Sequence, residues 1–298
     1  MRILRLLYEL PPKEVIHKVR RRISRRTGST FDLQEIAESQ KHLRFQRLYD
    51  FLSRYETIIQ RHHPHWGEIQ FEAERVLEIG CGPLLGWGPL AVFLGAERYV
   101  ACEPLFNKDV LTDQNLAERY FRGLHKDLSA IYGPRMTFDE FRLALQERCE
   151  IHNHTLLESH IEGEFGVMLS NSCLEHVFPL DRTIALLKEL SSPNCRFVHL
   201  VDFGNHRATR NPFSGMYSLE PETYFEKYGR AINLTRPSEM LQMFRQAGYE
   251  ASLIPYYETH ENYEEQVIPY WQNRYSDEEL FLKAALVAGP LGNLPTAP

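Results

Sequence analysis

The sequence predicts an α/β fold: a mostly parallel sheet with helices on both faces, preceded by a helical N-terminal extension. Three observations carry this. Short apolar runs of the kind buried on both faces recur from residue 75 onward. Helical patterns fall between them. The first run, Arg75-Val-Leu-Glu-Ile-Gly80, ends in a glycine-rich turn. Parallel neighbours need crossovers, and those crossovers cover the faces of the sheet.

In chain order, residues 1–70 read as the extension. Residues 31–66 are polar and helical, with Leu43, Phe45, Leu48, Phe51 and Leu52 as an apolar stripe. Strands are expected at Arg75–Gly80, Arg98–Cys102, Cys149–Asn153, Phe165–Ser170, Arg196–Phe203, Ala251–Tyr257 and Phe281–Ala288. Helices are expected at Leu84–Leu94, Leu180–Leu190 and Arg236–Gly248. The last has Pro237 in its first turn, Glu239 near the positive end and Gly248 as the stop. Residues 104–150 read as one long helical insertion, a candidate oligomer contact or substrate mouth. Residues 204–235 read as an irregular, substrate-side loop. The main domain then spans 71–290, and 291–298 is a tail.

Composition excludes several classes. The chain has 298 residues, 43% hydrophobic and 25% charged, with a formal net charge of −6. No apolar run approaches the roughly 20 residues a bilayer span requires. The five cysteines are odd in number and form no C-x-x-C pair, so reduced thiols and a cytoplasmic setting are expected. Residues 1–27 hold nine Lys/Arg against Glu9 and Glu14. Ile3–Leu10 is too short for a secretory leader. The basic stretch suits peripheral contact with an anionic membrane surface or an acidic partner, but the favoured reading is docking on the acidic body of its own chain. No basic stripe or aromatic nucleic-acid motif appears outside it, so nucleic acid is not expected as a partner.

The most informative segment is Glu78-Ile-Gly80-Cys-Gly82-Pro-Leu-Leu-Gly86-Trp-Gly88. Gly80 and Gly82 stand where a strand turns into a helix, which lets backbone approach a ligand. Glu103 ends the next strand, where a carboxylate can accept the hydroxyls of a ribose. A nucleoside-bearing ligand is expected. A dinucleotide loop would place its third glycine one residue before Gly86, which leaves a nicotinamide enzyme as the lesser reading.

The acid-x-Gly-x-Gly pattern of Glu78–Gly82 resembles motif I of the class I S-adenosylmethionine-dependent methyltransferases. Ser170-Asn-Ser-Cys-Leu-Glu-His-Val177 resembles the end of that family's fourth strand, and His199–His206 its fifth strand and following loop. Arg236–Gly248 resembles the helix before its final antiparallel strand pair. The resemblance implies a Rossmann-like, mostly parallel seven-stranded sheet and S-adenosylmethionine as cofactor. It implies that Glu78, Gly80, Cys81, Gly82, Glu103, Asn171 and Ser172 serve that cofactor, Glu78 by anchoring the loop. An acid contacting adenine is expected near Asn153–Thr155, yet none stands there.

Methyl transfer to a hydroxyl needs a base within hydrogen-bond reach. His206, with Asp202 to orient it, is the candidate, and His176 is the second. His199, inside an apolar strand, reads as a core histidine. No metal is expected: where some methyltransferases carry Glu-x-x-Glu-His, Ser172 replaces the first glutamate, and only Asp202 could complete a site. His62-His-Pro-His65 and His152-x-His154 with His160 lack completing ligands. In Asn205–Asn233, Arg207, Arg210, Tyr217, Tyr224, Tyr228 and Arg230 could meet a sugar, or the tyrosines could simply pack inward. The chain is most similar to bacterial methyltransferases associated with surface polysaccharides, as is its Leu-Pro-Pro-Lys-Glu start. That implies O-methylation of a glycan or glycolipid at the inner membrane face. A small-molecule O- or N-methyltransferase and a non-catalytic scaffold are the alternatives.

Overall fold

The computed structural model describes residues 30–38, 46–206, 211–258 and 265–290. The basic stretch 1–27, Leu43, Phe45, the side chain of Leu48, Arg207, Arg210 and the tail 291–298 lie outside the described residues. No helix among the described residues is long and apolar enough to cross a membrane.

Helices α1 (Leu33–Glu38) and α2 (Gln46–His62) precede β1 (Arg75–Ile79). There follow α3 (Gly88–Phe93), β2 (Arg98–Cys102), α4 (Arg122–Tyr132), α5 (Phe138–Arg148) and β3 (Cys149–His152). The chain continues through β4 (Phe165–Asn171), α6 (Leu180–Glu189), β5 (Ser191–Asp202), α7 (Pro221–Tyr228) and α8 (Pro237–Gln246). It closes with β6 (Ser252–Glu258), α9 (Pro269–Gln272), α10 (Asp277–Leu280) and β7 (Leu282–Pro290).

The seven strands form one sheet in the order β3-β2-β1-β4-β5-β7-β6. Pairings from β3 through β5 are parallel, and β7 runs antiparallel to both β5 and β6. The sheet is therefore mixed. Strand–helix alternation marks β7 as a strand but not its direction, since only the short α9 and α10 lie between β6 and β7; the antiparallel pair was implied by the resemblance alone.

Alternate strand residues feed two cores, as the two-residue period of a strand requires. Val76, Val198, Leu200 and Leu286 face the layer that contains α2, α3, α4 and α5. Leu77, Ile79, Phe197, Val201 and Val287 face α6 and α8. Burial on both faces is why these strands read as nearly continuous apolar runs. On α2, Leu52, Tyr55 and Ile59 recur at helical spacing and are buried. Each such side chain contributes about 1.5–3 kcal/mol by leaving water.

Three expectations need correction. The helix over Leu84–Leu94 shrinks to α3, because Gly82, Leu85 and Gly86 all have positive φ and interrupt it. The long helix over 104–150 is broken at Gly133 (φ 80°), and α5 starts anew with a Thr137–Glu140 capping box. Phe138, Phe141, Ala144 and Leu145 of α5 sit in the core. The segment is thus a layer of the fold. The irregular region after Gly204 contains α7 and a third small core of Phe213, Met216, Tyr217, Tyr224, Ile232, Leu234, Trp271 and Leu280. Tyr217 and Tyr224 pack there and offer no surface platform.

The strand order reverses between β1 and β4, so the connections leaving their C-terminal ends diverge to opposite faces. Ligands of open α/β sheets bind in the crevice such a reversal leaves.

Candidate active site at the strand-order reversal

A cavity of about 590 Å³ opens there, lined by Gly80, Glu103, Leu105, Leu156, Ser172 and His176 among others. Its size suits a nucleoside-bearing ligand. Gly80 has φ 77°, and a Cβ there would stand 2.5 Å from Cys173 Sγ, so only glycine fits between β1 and β4. The Gly82 amide donates to Glu103 Oε2 at 3.1 Å and the Leu105 amide to Oε1 at 3.2 Å. Glycine turn and strand-end acid, paired on sequence spacing, are therefore in direct contact.

Glu78 faces inward and is 1% exposed. Its Oε2 accepts from the Trp87 amide at 2.9 Å and lies 2.7 Å from Tyr99 Oη. Burial pushes its pKa up to about 8. Tyr99 Oη also lies 2.9 Å from the Leu85 carbonyl, and one hydroxyl proton cannot serve both acceptors. A protonated Glu78 donating to Tyr99 Oη leaves the tyrosine proton for Leu85. The residue thus anchors the loop and does not line the cavity.

This has a measurable consequence. With a folded pKa near 8 against an ordinary 4.5, folded protein keeps a proton that unfolded chain releases in between. The stability involved is whole below about pH 4.5 and falls as pH rises towards 8. Glu78→Gln mimics the protonated acid. Its unfolding free energy, from urea titrations at pH 5 and 8, should fall less steeply than the wild type's, by up to about 1.4 kcal/mol per pH unit. Equal slopes would mean that Glu78 does not titrate there.

The remaining cofactor-side residues are distributed as follows. Cys81 is buried, with its thiol pushed up by burial and Sγ against the Gly82 carbonyl. Ser172 lines the cavity with φ 50°. Asn171 Oδ1 accepts from Tyr55 Oη at 2.6 Å. Tyr55 is fully buried and meets Trp87 and Tyr256 edge-on, which ties α2 to the end of β4. The sequence stripe stopped at Leu52, although Phe51 to Tyr55 and on to Ile59 continues at i+4. Thr155, Leu156 and Leu157 form the far wall, and no acid of the Asn153–Thr155 stretch is among the lining residues.

The acceptor-side candidates converge. His206 Nε2 lies 3.5 Å from Asp202 Oδ2 and 3.7 Å from Glu175 Oε1. The His176 and His206 rings are 4.8 Å apart. Burial alone would raise the Asp202 pKa, but contacts with His206 and Lys283 prevail and hold it down to about 2. Lys283 Nζ is 2.7 Å from Asp202 Oδ2. Burial drives Glu175 up to about 8, and the Asp202 charge adds to it. Sequence reasoning met Glu175 only in a metal motif that it set aside, gave it no role, and missed Lys283, for which nothing signalled one. His199 is a core histidine: burial lowers its pKa to about 3, and Nδ1 lies 2.8 Å from Ser170 Oγ.

No family model and no curated protein matches the chain. Among solved structures it is similar to an S-adenosylmethionine-dependent methyltransferase from Mesorhizobium loti. That match has 15% identity and a TM-score of 0.43, covering 74% of this chain and 93% of that one. It is also similar to the N-methyltransferase NodS of Bradyrhizobium japonicum, at 11% identity and TM-score 0.37, over 84% and 97% of the two chains. A third is phosphoethanolamine N-methyltransferase 2 of Haemonchus contortus in complex with S-adenosyl-L-methionine, at 12% identity and TM-score 0.40, over 75% and 46%. Values this low carry no functional weight. The strand order and the glycine turn stand on their own.

Proposed function

We propose that this protein transfers a methyl group from S-adenosylmethionine to a hydroxyl of a sugar in a bacterial glycan or glycolipid. The observation that carries the cofactor is the contact between Gly82 and Glu103 at the mouth of the crevice. The Gly82 and Leu105 amides set the Glu103 carboxylate at the cavity wall, where it can accept ribose hydroxyls. Leu105, Leu156, Val177 and Phe178 supply apolar walls for a base. When bound, S-adenosylmethionine supplies an electrophilic methyl on a sulfonium, which leaves as a neutral thioether.

The chain's own work is alignment and proton management. Asn171, held by Tyr55, ends β4 and Ser172 follows it at the cofactor side. His176, Asp202 and His206, with Glu175 behind them, form the rim where an acceptor hydroxyl gives up its proton. The sugar acceptor rests on the resemblance to surface-polysaccharide methyltransferases.

Calorimetry with S-adenosylhomocysteine tests the cofactor. Wild type should bind, and Glu103→Ala should weaken binding about 10- to 100-fold, the worth of one to two charge-assisted hydrogen bonds. Unchanged affinity would put the nucleoside elsewhere, and no binding by folded wild type would overturn the cofactor. Radiolabelled methyl transfer into glycan, lipid, protein and small-molecule fractions tests the acceptor. Counts in protein alone would overturn the sugar.

A further inference from the structure

Glu175 sits in a short helical turn, Leu174–His176, just past β4, and is 3% exposed. Neither of its carboxylate oxygens has a hydrogen-bond partner. A carboxyl in that condition either keeps its proton or takes up a cation. What surrounds it decides between these outcomes.

His176 is the adjoining residue. Its Nδ1 lies 2.6 Å from the Ala231 carbonyl. A carbonyl only accepts, so Nδ1 carries the proton and the neutral ring has its lone pair on Nε2. Metal-ligating histidines are held in just this way, with one nitrogen donating to a carbonyl and the other presented to the ion. His206 Nε2, from the loop after β5, stands 3.7 Å from Glu175 Oε1 and 3.5 Å from Asp202 Oδ2. Those gaps exceed a good hydrogen bond. They are close to the separation of two neighbouring ligands that share one ion at about 2.0–2.2 Å. Donor atoms of Glu175, His176 and His206 all lie within 4.8 Å of one another. Ligands of a tetrahedral ion at about 2.0–2.2 Å stand about 3.3–3.6 Å apart, so the widest pair must close by a little over an ångström to complete the site. His206 is a third exposed and can supply that movement.

We propose that Glu175, His176 and His206 bind one divalent first-row transition-metal ion at the acceptor side of the cavity. Two imidazoles and one carboxylate favour ions of the manganese-to-zinc series over magnesium or calcium, which prefer all-oxygen shells. Three protein ligands leave coordination positions open. His176 lines the cavity, so those positions are available to an oxygen of the acceptor. The expectation of no metal counted Ser172, Glu175 and His176 along the sequence and left out His206, which only the fold brings alongside. The site rests on these side chains; its use in catalysis rests on the methyl-transfer proposal.

The test uses full-length, chelator-treated protein titrated with Co²⁺, followed by calorimetry and visible absorption. Wild type should bind one Co²⁺ per chain at this site and show ligand-field bands. Glu175→Gln, His176→Asn and His206→Asn should each weaken binding about 10-fold or more. His63→Ala, in the separate His62-His63-Pro64-His65 run, should leave it unchanged. His176 is exposed, so its variant keeps the test alive should Glu175→Gln fail to fold. No Co²⁺ bound by folded wild type, or binding that all three variants leave intact, overturns the site. Methyl transfer that ignores the chelator yet is lost in His206→Asn overturns its catalytic use in favour of His206 as an unassisted base. S-adenosylhomocysteine binding on the same preparations is a separate readout. Cofactor bound without Co²⁺ sinks the metal site alone, and Co²⁺ bound without cofactor sinks methyl transfer alone.

Discussion

Arg236→Met is expected to lower the unfolding free energy by about 3–4 kcal/mol, a large share of a typical domain's stability. The guanidinium is 1% exposed. It donates from Nε to the Leu234 carbonyl at 3.2 Å, from Nη1 to Tyr217 Oη at 2.7 Å and from Nη2 to the Phe203 carbonyl at 2.9 Å. Tyr217 Oη in turn donates to the Leu280 carbonyl. One planar fork therefore ties the end of β5, the third core and the entry to α8 together. Methionine fills much of the volume but leaves those acceptors without their donor, and each orphaned buried group costs about 1–3 kcal/mol before relaxation. Lysine should not rescue, since a single ammonium cannot reach three acceptors set for a fork. Phe203 follows Asp202 directly, so the loss should also loosen the loop that carries His206. Urea unfolding at neutral pH measures it, and a loss below about 1 kcal/mol would mean the network contributes little.

Sequence reasoning placed that arginine correctly and said nothing of its side chain. It read Arg236 as the entry to a helix, and α8 does begin at Pro237, with the Glu239 carboxylate accepting from the Arg236 amide. Helix punctuation is local chemistry and can be read from neighbours in the chain. Burial of the guanidinium depends on Phe203 and Tyr217, and no local pattern reports those contacts. The seven strands followed the same logic. The inner strands β1, β2, β4, β5 and β7 are buried along most of their length and announce themselves by composition, whereas the direction of β7 is set by which neighbour it reaches. The long helix expected over 104–150 failed for a third reason. The break is marked in the sequence, by Gly133-Pro134 and by the Thr137-x-x-Glu140 capping pattern, and was passed over because the run on either side is rich in helix formers.

The candidate site divides along the same line. The pairing of the glycine turn Gly80–Gly82 with Glu103 was legible because a close backbone approach and a strand-end acid need specific residue types at specific places. Glu175 and Lys283 were not, because a carboxylate beside a histidine and a lysine on a strand have many bland roles. Their meaning comes from Asp202 and His206, which the fold sets beside them. His206 was chosen for its nearness in sequence to Asp202. The structure adds Glu175 as a second carboxylate facing the same nitrogen and Lys283 beside Asp202, and these additions turn the expected His206–Asp202 pair into a four-residue cluster.

Gly86→Ala should be the most damaging of the glycine-loop substitutions. Gly86 stands one residue too late for a dinucleotide loop, and its place is explained from inside the protein. Its φ is 49°, and a Cβ there would lie 2.2 Å from Glu78 Oε1 and 2.5 Å from Oε2. Glu78 cannot swing away, because the Trp87 amide and Tyr99 hold it in a fully buried slot. Alanine therefore breaks those two hydrogen bonds or displaces the turn, and adds about 1 kcal/mol of left-handed backbone strain. A total loss of about 3–5 kcal/mol is expected, with S-adenosylhomocysteine affinity falling alongside as Gly80 and Gly82 shift. Gly82→Ala is the matched control. Its φ is 64° and its Cβ would meet nothing within 4 Å, so strain alone applies and stability should fall by about 1 kcal/mol. Thermal and urea unfolding of the two variants side by side separates wedge from strain. Equal losses would mean that Glu78 yields to the new methyl, and that the loop is not built on it.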